Sequence, residues 1–136
     1  MSEKKYIEEL FTDSGPVDEK EVVEVVRNFI VINQETHEIY FKEAAKKLTV
    51  EEKILAYGLA KKLLKLGSYV NSEEISAKEI KDLGIKSGSV DSAFKSLREE
   101  SGYLIGSGSK YVIPNYKVKD ALKELKKKSE IAIKNE

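Results

Sequence analysis

Few side chains in this sequence are of the types that carry out catalysis or bind a metal ion. The single histidine, His37, lies between Glu35 and Glu38, a spacing from which a metal site or an acid–base pair could be drawn. The run is polar and separates two β-rich segments, so a solvated hairpin loop is the better interpretation. The chain has no cysteine, which excludes disulfides, thiolate ligands and a cysteine nucleophile. We therefore expect no metal site and no cofactor.

Two short motifs resemble parts of catalytic or nucleotide-binding sites, but each is incomplete. Ser92 and Lys95 have the Ser-x-x-Lys spacing of serine acylases, without the other elements that such enzymes require. Gly106-Ser-Gly108 is followed by no Gly-Lys-Ser or Gly-Lys-Thr and opens no helix, so it is not a phosphate-binding loop. The sequence therefore predicts a protein that is not an enzyme.

Three helices are predicted between residues 49 and 102. Capping boxes, in which a Ser or Thr is followed three residues later by Glu, open the first two at Thr49 and Ser76. The first helix covers 51–66 and ends at Gly67, and small residues would let another segment approach it closely: Ala56, Gly58 and Ala60. The third covers about 89–100 and carries four apolar residues on one narrow face: Val90, Ala93, Phe94 and Leu97.

Further elements are predicted on both sides of these helices. They are strands at 103–105 and 111–113 around a Gly-rich loop, a final helix over 117–128, a helix in the first ten residues, a helix from Asp18 to Asn28, and a hairpin with strands at 29–32 and 39–41. The predicted class is α+β, mainly α-helical with small β-hairpins. We expect an acidic N-terminal extension over 1–48, a domain over 49–128 and a charged tail over 129–136.

Residues 51–114 resemble the winged helix-turn-helix family of DNA-binding proteins. The predicted order is a helix, a short helix, a turn, a third helix and a Gly-rich hairpin. The stretch that carries the resemblance is EISAKEIKDLGIKSGSVDSAFKSLREESGYLI, from Glu74 to Ile105, and it is similar to the small modules of archaeal transcription regulators. The resemblance implies a winged helix with an N-terminal helix and hairpin extension and a C-terminal helix.

The resemblance also implies how double-stranded DNA would be bound. The third helix would enter the major groove with its N-terminal residues toward the base edges, and the hairpin would act as the wing. Hydroxyl groups can donate or accept at base edges, and lysines can contact phosphates or a guanine. The implied DNA-binding residues are Lys86, Ser87, Ser89, Ser92, Lys95, Ser96, Lys110, Lys117 and Lys119.

A second hypothesis remains open beside DNA binding. Winged helices also dock other proteins, and Asp91, Glu99 and Glu100 on the third helix would repel phosphate. In that case the module is an adaptor, and the acidic residues 1–48 select a basic partner.

Under the DNA-binding hypothesis, the protein would be a transcription regulator or a chromatin-associated factor in the cytoplasm or nucleoid.

The charge balance is informative only when the chain is divided. The formal net charge is zero, with 24 basic and 24 acidic residues, which taken alone argues against nucleic-acid binding. Residues 1–48 hold 7 basic and 11 acidic side chains, whereas residues 49–136 hold 17 and 13. The basic excess therefore lies after the N-terminal extension, in the range that holds the predicted winged helix and the last helix.

Assembly, source and location are also expectations. An apolar stripe on the last helix could form the seam of a homodimer or pack inside the molecule: Val118, Leu122, Leu125 and Ile131. The predominance of Glu and Lys, with one Gln and no Cys, is typical of thermophilic proteins. No apolar run approaches the ~20 residues of a membrane span, and the N-terminus lacks the apolar core of a signal peptide. We expect a cytoplasmic protein that does not bind membranes.

Overall fold

The computed structural model describes residues 17–134, apart from the side chains of Ser107 and residues 130–134. Within that range there are five α-helices: α1 (Glu19–Val26), α2 (Val50–Leu66), α3 (Ala77–Lys81), α4 (Ser87–Glu99) and α5 (Val118–Lys134). Two antiparallel hairpins lie between them, the first formed by β1 (Ile30–Ile32) and β2 (Ile39–Phe41), the second by β3 (Ile105–Ser107) and β4 (Lys110–Val112). The predicted α+β class is confirmed.

The N-terminal elements follow the local signals of the sequence. Asp18 caps α1 by accepting a hydrogen bond from the amide of Glu21 at 3.2 Å. The helix forms in spite of its β-branched residues because three valines bury their side chains in the core: Val22, Val25 and Val26. The hairpin predicted around residues 33–38 is present. The helix predicted in the first ten residues lies outside the described part of the chain.

Helix α2 is the centre of the core, and its predicted capping box is present. Thr49 accepts from the amide of Glu52 at 3.2 Å, and Glu52 accepts from the amide of Thr49 at 2.8 Å. Gly67 ends the helix as predicted, but the left-handed residue is Ser68, with φ of 64°. A Cβ on Gly67 would lie 2.8 Å from the Tyr69 ring, so glycine is needed for close packing rather than for a positive φ.

The second predicted capping box, at the start of α3, is only half formed. Ser76 accepts from the amide of Glu79 at 3.3 Å, which caps the helix. The Glu79 carboxylate does not return a bond to the Ser76 amide. It accepts instead from the Tyr57 hydroxyl at 2.8 Å and from Lys61 at 3.1 Å. The Ser76 hydroxyl also donates to this carboxylate at 3.5 Å, so tertiary contacts to α2 have replaced only the bond to the Ser76 amide.

Helix α4 begins at Ser87, two residues before its predicted start, and the four residues predicted to be apolar contacts are all buried. In the second hairpin the strands are displaced toward the predicted loop: Tyr103, Leu104 and Ile113 lie outside them, and the turn is only Gly108-Ser109. Gly106 pairs with Tyr111, and a Cβ on Gly106 would lie 2.2 Å from the carbonyl oxygen of Lys110. This close approach is why a residue without a side chain stands there.

Helix α5 runs to Lys134, six residues beyond its predicted end at Lys128. Three residues of its apolar stripe are buried inside the molecule, with exposed fractions of 4 % or less: Val118, Leu122 and Leu125. The intramolecular alternative for this stripe is therefore correct for those residues, and the dimer seam is wrong for them. The side chain of Ile131 lies outside the described part of the structure.

One hydrophobic core joins the N-terminal elements to the rest of the described chain. It contains residues of α1, the first hairpin, all the later helices and the second hairpin. The predicted close approach to α2 occurs at Gly58, where a Cβ would lie 2.8 Å from the Ile113 side chain. None of the described helices is both long and apolar enough to cross a membrane.

The core also contains one buried charge. Lys62 of α2 is only 2 % exposed. Its ammonium group donates to Glu73 at 3.0 Å and to the side chain of Asn115 at 2.7 Å. The lysine thereby connects α2 to the segment before α3 and to the 3₁₀ turn Asn115–Lys117 that follows the second hairpin.

Candidate functional site

The polar side of α4 is the most extended surface on which the predicted site residues are found. The helix packs on α2 and α3 through its four apolar residues, so its opposite side faces outward. Ser92, Lys95 and Glu99 are exposed there, with Gly88 at the N-terminal end. A groove lies along each edge of this exposed side.

The larger groove, which we name the hairpin groove, has a volume of about 820 Å³ and lies between α4, the second hairpin and the start of α3. It brings together two of the predicted residues, Lys95 and Lys110. It also contains three basic residues that the predicted set did not include: Lys61, Lys78 and Arg98. The acidic residues that line it are Glu74, Glu79 and Asp91.

Ion pairs neutralise several of these charges. Lys61 pairs with Glu79 at 3.1 Å. Asp91 pairs with Lys81 at 2.9 Å, and Arg98 pairs with Glu99 at 3.0 Å. Three exposed lysines of the hairpin groove form no ion pair within the described residues: Lys78, Lys95 and Lys110. The cationic groups available in the groove therefore outnumber the available carboxylates.

The second hairpin is attached to α4 through Tyr111. The Tyr111 hydroxyl donates to the carbonyl oxygen of Gly108 at 2.9 Å and accepts from Arg98 at 3.2 Å. The Tyr111 ring packs on Phe94, with ring centroids 5.4 Å apart. The hydrogen bond that Arg98 donates to Glu99 is the main cause that raises the pKa of Arg98 above its ordinary value. The turn of the hairpin is therefore held at a defined place beside α4.

The smaller groove, which we name the serine groove, has a volume of about 740 Å³ and lies on the other edge of α4, against the N-terminus of α2. It brings together four predicted residues: Lys86, Ser89, Ser92 and Ser96. Ser87 is exposed as the first residue of α4. Lys86 occupies the N-cap position, and its side chain makes no capping bond.

The last two predicted residues, Lys117 and Lys119, line neither groove. Lys117 is half-buried, donates to the carbonyl oxygen of Ser101 at 3.4 Å, and lies 5.4 Å from the centre of the Tyr103 ring. Its ammonium group is therefore engaged within the protein. Burial is the main cause that raises the pKa of Tyr103, followed by the charges of Glu124 and Asp120. Lys119 is exposed on the first turn of α5.

Three basic residues of the hairpin groove were missed for different reasons. Lys61 belongs to α2, whose pattern indicates a core helix, and its place in the groove depends on how α3 packs. Arg98 falls at the edge of the predicted α4 face. Lys78 is exposed in the first turn of α3. It could have been identified from its position just after the capping residue Ser76.

His37 lies in the loop of the first hairpin, where it is half-buried. Its ring packs edge-on against Tyr69, with centroids 5.1 Å apart, and its φ is 64°. Among the described residues, no group of three or more His, Asp or Glu side chains is placed to hold a metal ion. A shallow cavity of about 500 Å³ beside His37 includes Tyr57. Burial, followed by the hydrogen bond to Glu79, raises the pKa of Tyr57 far above 10.0.

Comparison of the chain with models of protein families, with curated proteins and with solved structures gives no significant match.

Proposed function

We propose that residues 49–114 form a winged helix that binds double-stranded DNA, with α4 as the recognition helix and the second hairpin as the wing. The order of elements supports this proposal. The hairpin is also tied to the helices, because Ile75, which precedes α3, pairs with Tyr111 of β4 through two backbone hydrogen bonds of 2.8 Å.

The observation that carries the proposal is the position of Lys95 and Lys110 in one groove. One lysine lies on the exposed face of α4 and the other at the start of β4 beside the turn, so helix and hairpin present positive charge together. Lys78 adds a third cation from the first turn of α3. Clustered lysines on one face are the electrostatic footprint of phosphate binding.

In the proposed complex, α4 enters the major groove and the lysines contact the phosphates. Ser92 is exposed on the outward face and can donate to or accept from a base edge. Lys86 and the amides of Ser87–Ser89 lie at the N-terminus of α4, where partial positive charge favours a phosphate. Lys119 reaches the backbone beside the wing, whereas Lys117 must leave its contact with Ser101 to do so.

The proposed biological role is that of a transcription regulator or a chromatin-associated factor. The affinity for DNA of mixed sequence is expected to be modest because Asp91, Glu99 and Glu100 also lie on α4. The first two are paired with neighbouring cations, but Glu100 forms no ion pair within the described residues. Specific binding therefore requires the base contacts of α4 in addition to phosphate contacts.

The test is the salt dependence of binding to a duplex of mixed sequence, measured by fluorescence anisotropy. We expect binding at low salt and a log–log slope that reports the number of phosphates neutralised. Lys95→Glu and Lys110→Glu should each weaken binding roughly tenfold at low salt and lower the slope by about one. A wild-type protein that does not bind duplex DNA at low salt would contradict the proposal.

Lys20→Glu provides the matched control. Lys20 is exposed on α1, lines neither groove on α4, and its substitution changes the net charge by the same amount. We expect its DNA affinity to stay within about twofold of the wild type. Equal weakening by Lys20→Glu would show that total charge matters rather than the hairpin groove.

The carboxylates on α4 favour one alternative function, the docking of another protein. Glu99 and Glu100 are exposed on the helix that would face DNA. In this alternative the acidic residues 1–48 select a basic partner. Absence of DNA binding together with capture of a basic protein that Glu99→Lys weakens would favour the adaptor. Under either function, light scattering would establish whether the protein is a homodimer.

A further inference from the structure

We infer that Tyr111 and Arg98 position the wing for DNA. The Tyr111 hydroxyl fixes the turn of the second hairpin, and the fixed turn directs Lys110 toward the phosphates. This inference rests on the proposed function. It assigns a role to two side chains that would not themselves need to touch the nucleic acid.

The second hairpin is too short to hold its own shape. Each strand has three residues, and the turn has two. Isolated two-stranded hairpins of this length are at most marginally stable in water. The position of the turn must therefore depend on contacts with the rest of the molecule.

Tyr111 makes those contacts in three directions. Its backbone pairs with Gly106 on one side and with Ile75 on the other. The residue is 9 % exposed, and its ring packs on Phe94 of α4. The ring and the backbone fix the base of the hairpin, which leaves the turn itself to be fixed by other groups.

The hydroxyl of Tyr111 supplies the missing restraint on the turn. It donates to the carbonyl oxygen of Gly108, and it accepts from Arg98, which is fixed in turn by Glu99. This chain of hydrogen bonds runs from the last turns of α4 to the turn of the hairpin. Lys110 lies two residues after Gly108, so its direction depends on where the turn is held.

Tyr111→Phe removes this restraint without changing any charge. The ring, its packing on Phe94 and both backbone pairings remain, so the variant should fold. We expect its DNA affinity to fall about three- to fivefold, less than for Lys110→Glu, because both hydrogen bonds of the hydroxyl are lost while the charge of Lys110 remains. Tyr116→Phe is the matched control because Tyr116 is exposed and lines neither groove, and its affinity should be unchanged.

A double-mutant cycle separates positioning from general stability. If the hydroxyl acts by placing Lys110, then Tyr111→Phe in a Lys110→Ala background should lower affinity less than twofold further. Amide hydrogen exchange should also become faster at Ser109 and Lys110 while the amides of α4 stay protected. A purely structural role would give the same fold loss in both backgrounds, and would overturn the inference.

The outcomes distinguish this inference from the proposed function. A wild-type protein that does not bind duplex DNA contradicts both. A wild-type protein that binds, together with a Tyr111→Phe variant that binds equally well, contradicts the inference alone. Loss of affinity in Tyr111→Phe that depends on Lys110 supports both.

Discussion

The two hairpins of this protein have strands of equal length but differ in what they face. Each pairs two strands of three residues in antiparallel register. The first buries Ile30 and Ile39 in the core and leaves Val31 and Tyr40 on its outer face. The second buries Tyr111 and presents Lys110 beside α4. One hairpin therefore covers the core, and the other forms a wall of a groove.

The loops that join the strands of the two hairpins also differ. The first hairpin has a loop of six residues, in which the Asn33 side chain accepts from the amides of Glu35 and Thr36 at 2.8 and 2.9 Å. This loop is held by Asn33 and by the packing of His37 on Tyr69, and it carries acidic residues. The second has a two-residue turn, which is held by the Tyr111 hydroxyl of the same hairpin and by Arg98 of α4. Both hairpins are attached to the rest of the molecule, so the charge that they present, rather than the hairpin motif, distinguishes the proposed binding surface.

The largest effect is expected from Phe29→Ala, at the base of the first hairpin. Phe29 is fully buried, and its removal leaves a cavity in the core, so the free energy of unfolding should fall by about 3–5 kcal/mol. Urea unfolding measures the loss. The DNA affinity of the folded fraction should stay unchanged, which would show that the first hairpin serves stability alone.

The control for Phe29→Ala is Val31→Ala on the outer face of the same hairpin. Val31 is 49 % exposed, so its substitution should change the free energy of unfolding by less than about 1 kcal/mol. If Phe29→Ala also weakened DNA binding while the folded state was fully populated, the division of roles between the hairpins would be wrong.

An intermediate effect is expected from Gly106→Ala in the second hairpin. The new Cβ would overlap the carbonyl oxygen of Lys110, and φ is 152°, so the strands must separate. The free energy of unfolding should fall by about 1–3 kcal/mol, and DNA affinity should fall with it.

Gly108→Ala tests whether space or φ decides the cost. Gly108 also has a positive φ, of 66°, but a Cβ there would meet no atom within 4 Å. Its cost should be nearer 1 kcal/mol. Equal destabilisation by both alanines would contradict the overlap as the cause.

The smallest effect concerns the pH dependence of stability near the first hairpin. Burial raises the pKa of Tyr57 above its unfolded value of 10.0, so folding favours the protonated phenol. Its contribution is complete below pH 10 and is lost as the pH rises further, because the unfolded state then loses the proton first. Urea unfolding at several alkaline pH values should show a smaller decline for Tyr57→Phe than for the wild type. Parallel declines would contradict this assignment.

Local signals predicted those elements whose partners are close in sequence. Asp18 caps α1, Thr49 and Glu52 close a capping box, and the four apolar residues of α4 are buried, because these patterns depend on three or four neighbouring residues. The grouping of Lys95 with Lys110 followed from the expected order of elements. That they line one groove required the packing of the second hairpin on α4.

The missed features depend on residues far apart in the sequence. The last helix is predicted to end at Lys128, yet Lys126 pairs with Glu21 at 3.0 Å and Lys128 with Glu52 at 3.7 Å. These acidic partners belong to α1 and α2, so α5 continues along them. The Glu79 carboxylate does not complete its capping box for a similar reason, because the packing of α2 brings Tyr57 and Lys61 into contact with it. No local pattern contains that information.

The buried Lys62 influences which face of the second hairpin carries Lys110. Its two acceptors, Glu73 and Asn115, lie on the two segments that pair at Ile75 and Tyr111. A slip of one residue would displace Asn115 by about 3.3 Å and leave a buried ammonium group with one of its partners lost, which is strongly unfavourable. The same slip would turn alternate side chains to the opposite face. The hydrogen bonds of Lys62 therefore help to fix the register of the pairing between Ile75 and Tyr111. This register keeps Lys110 on the side of the hairpin groove.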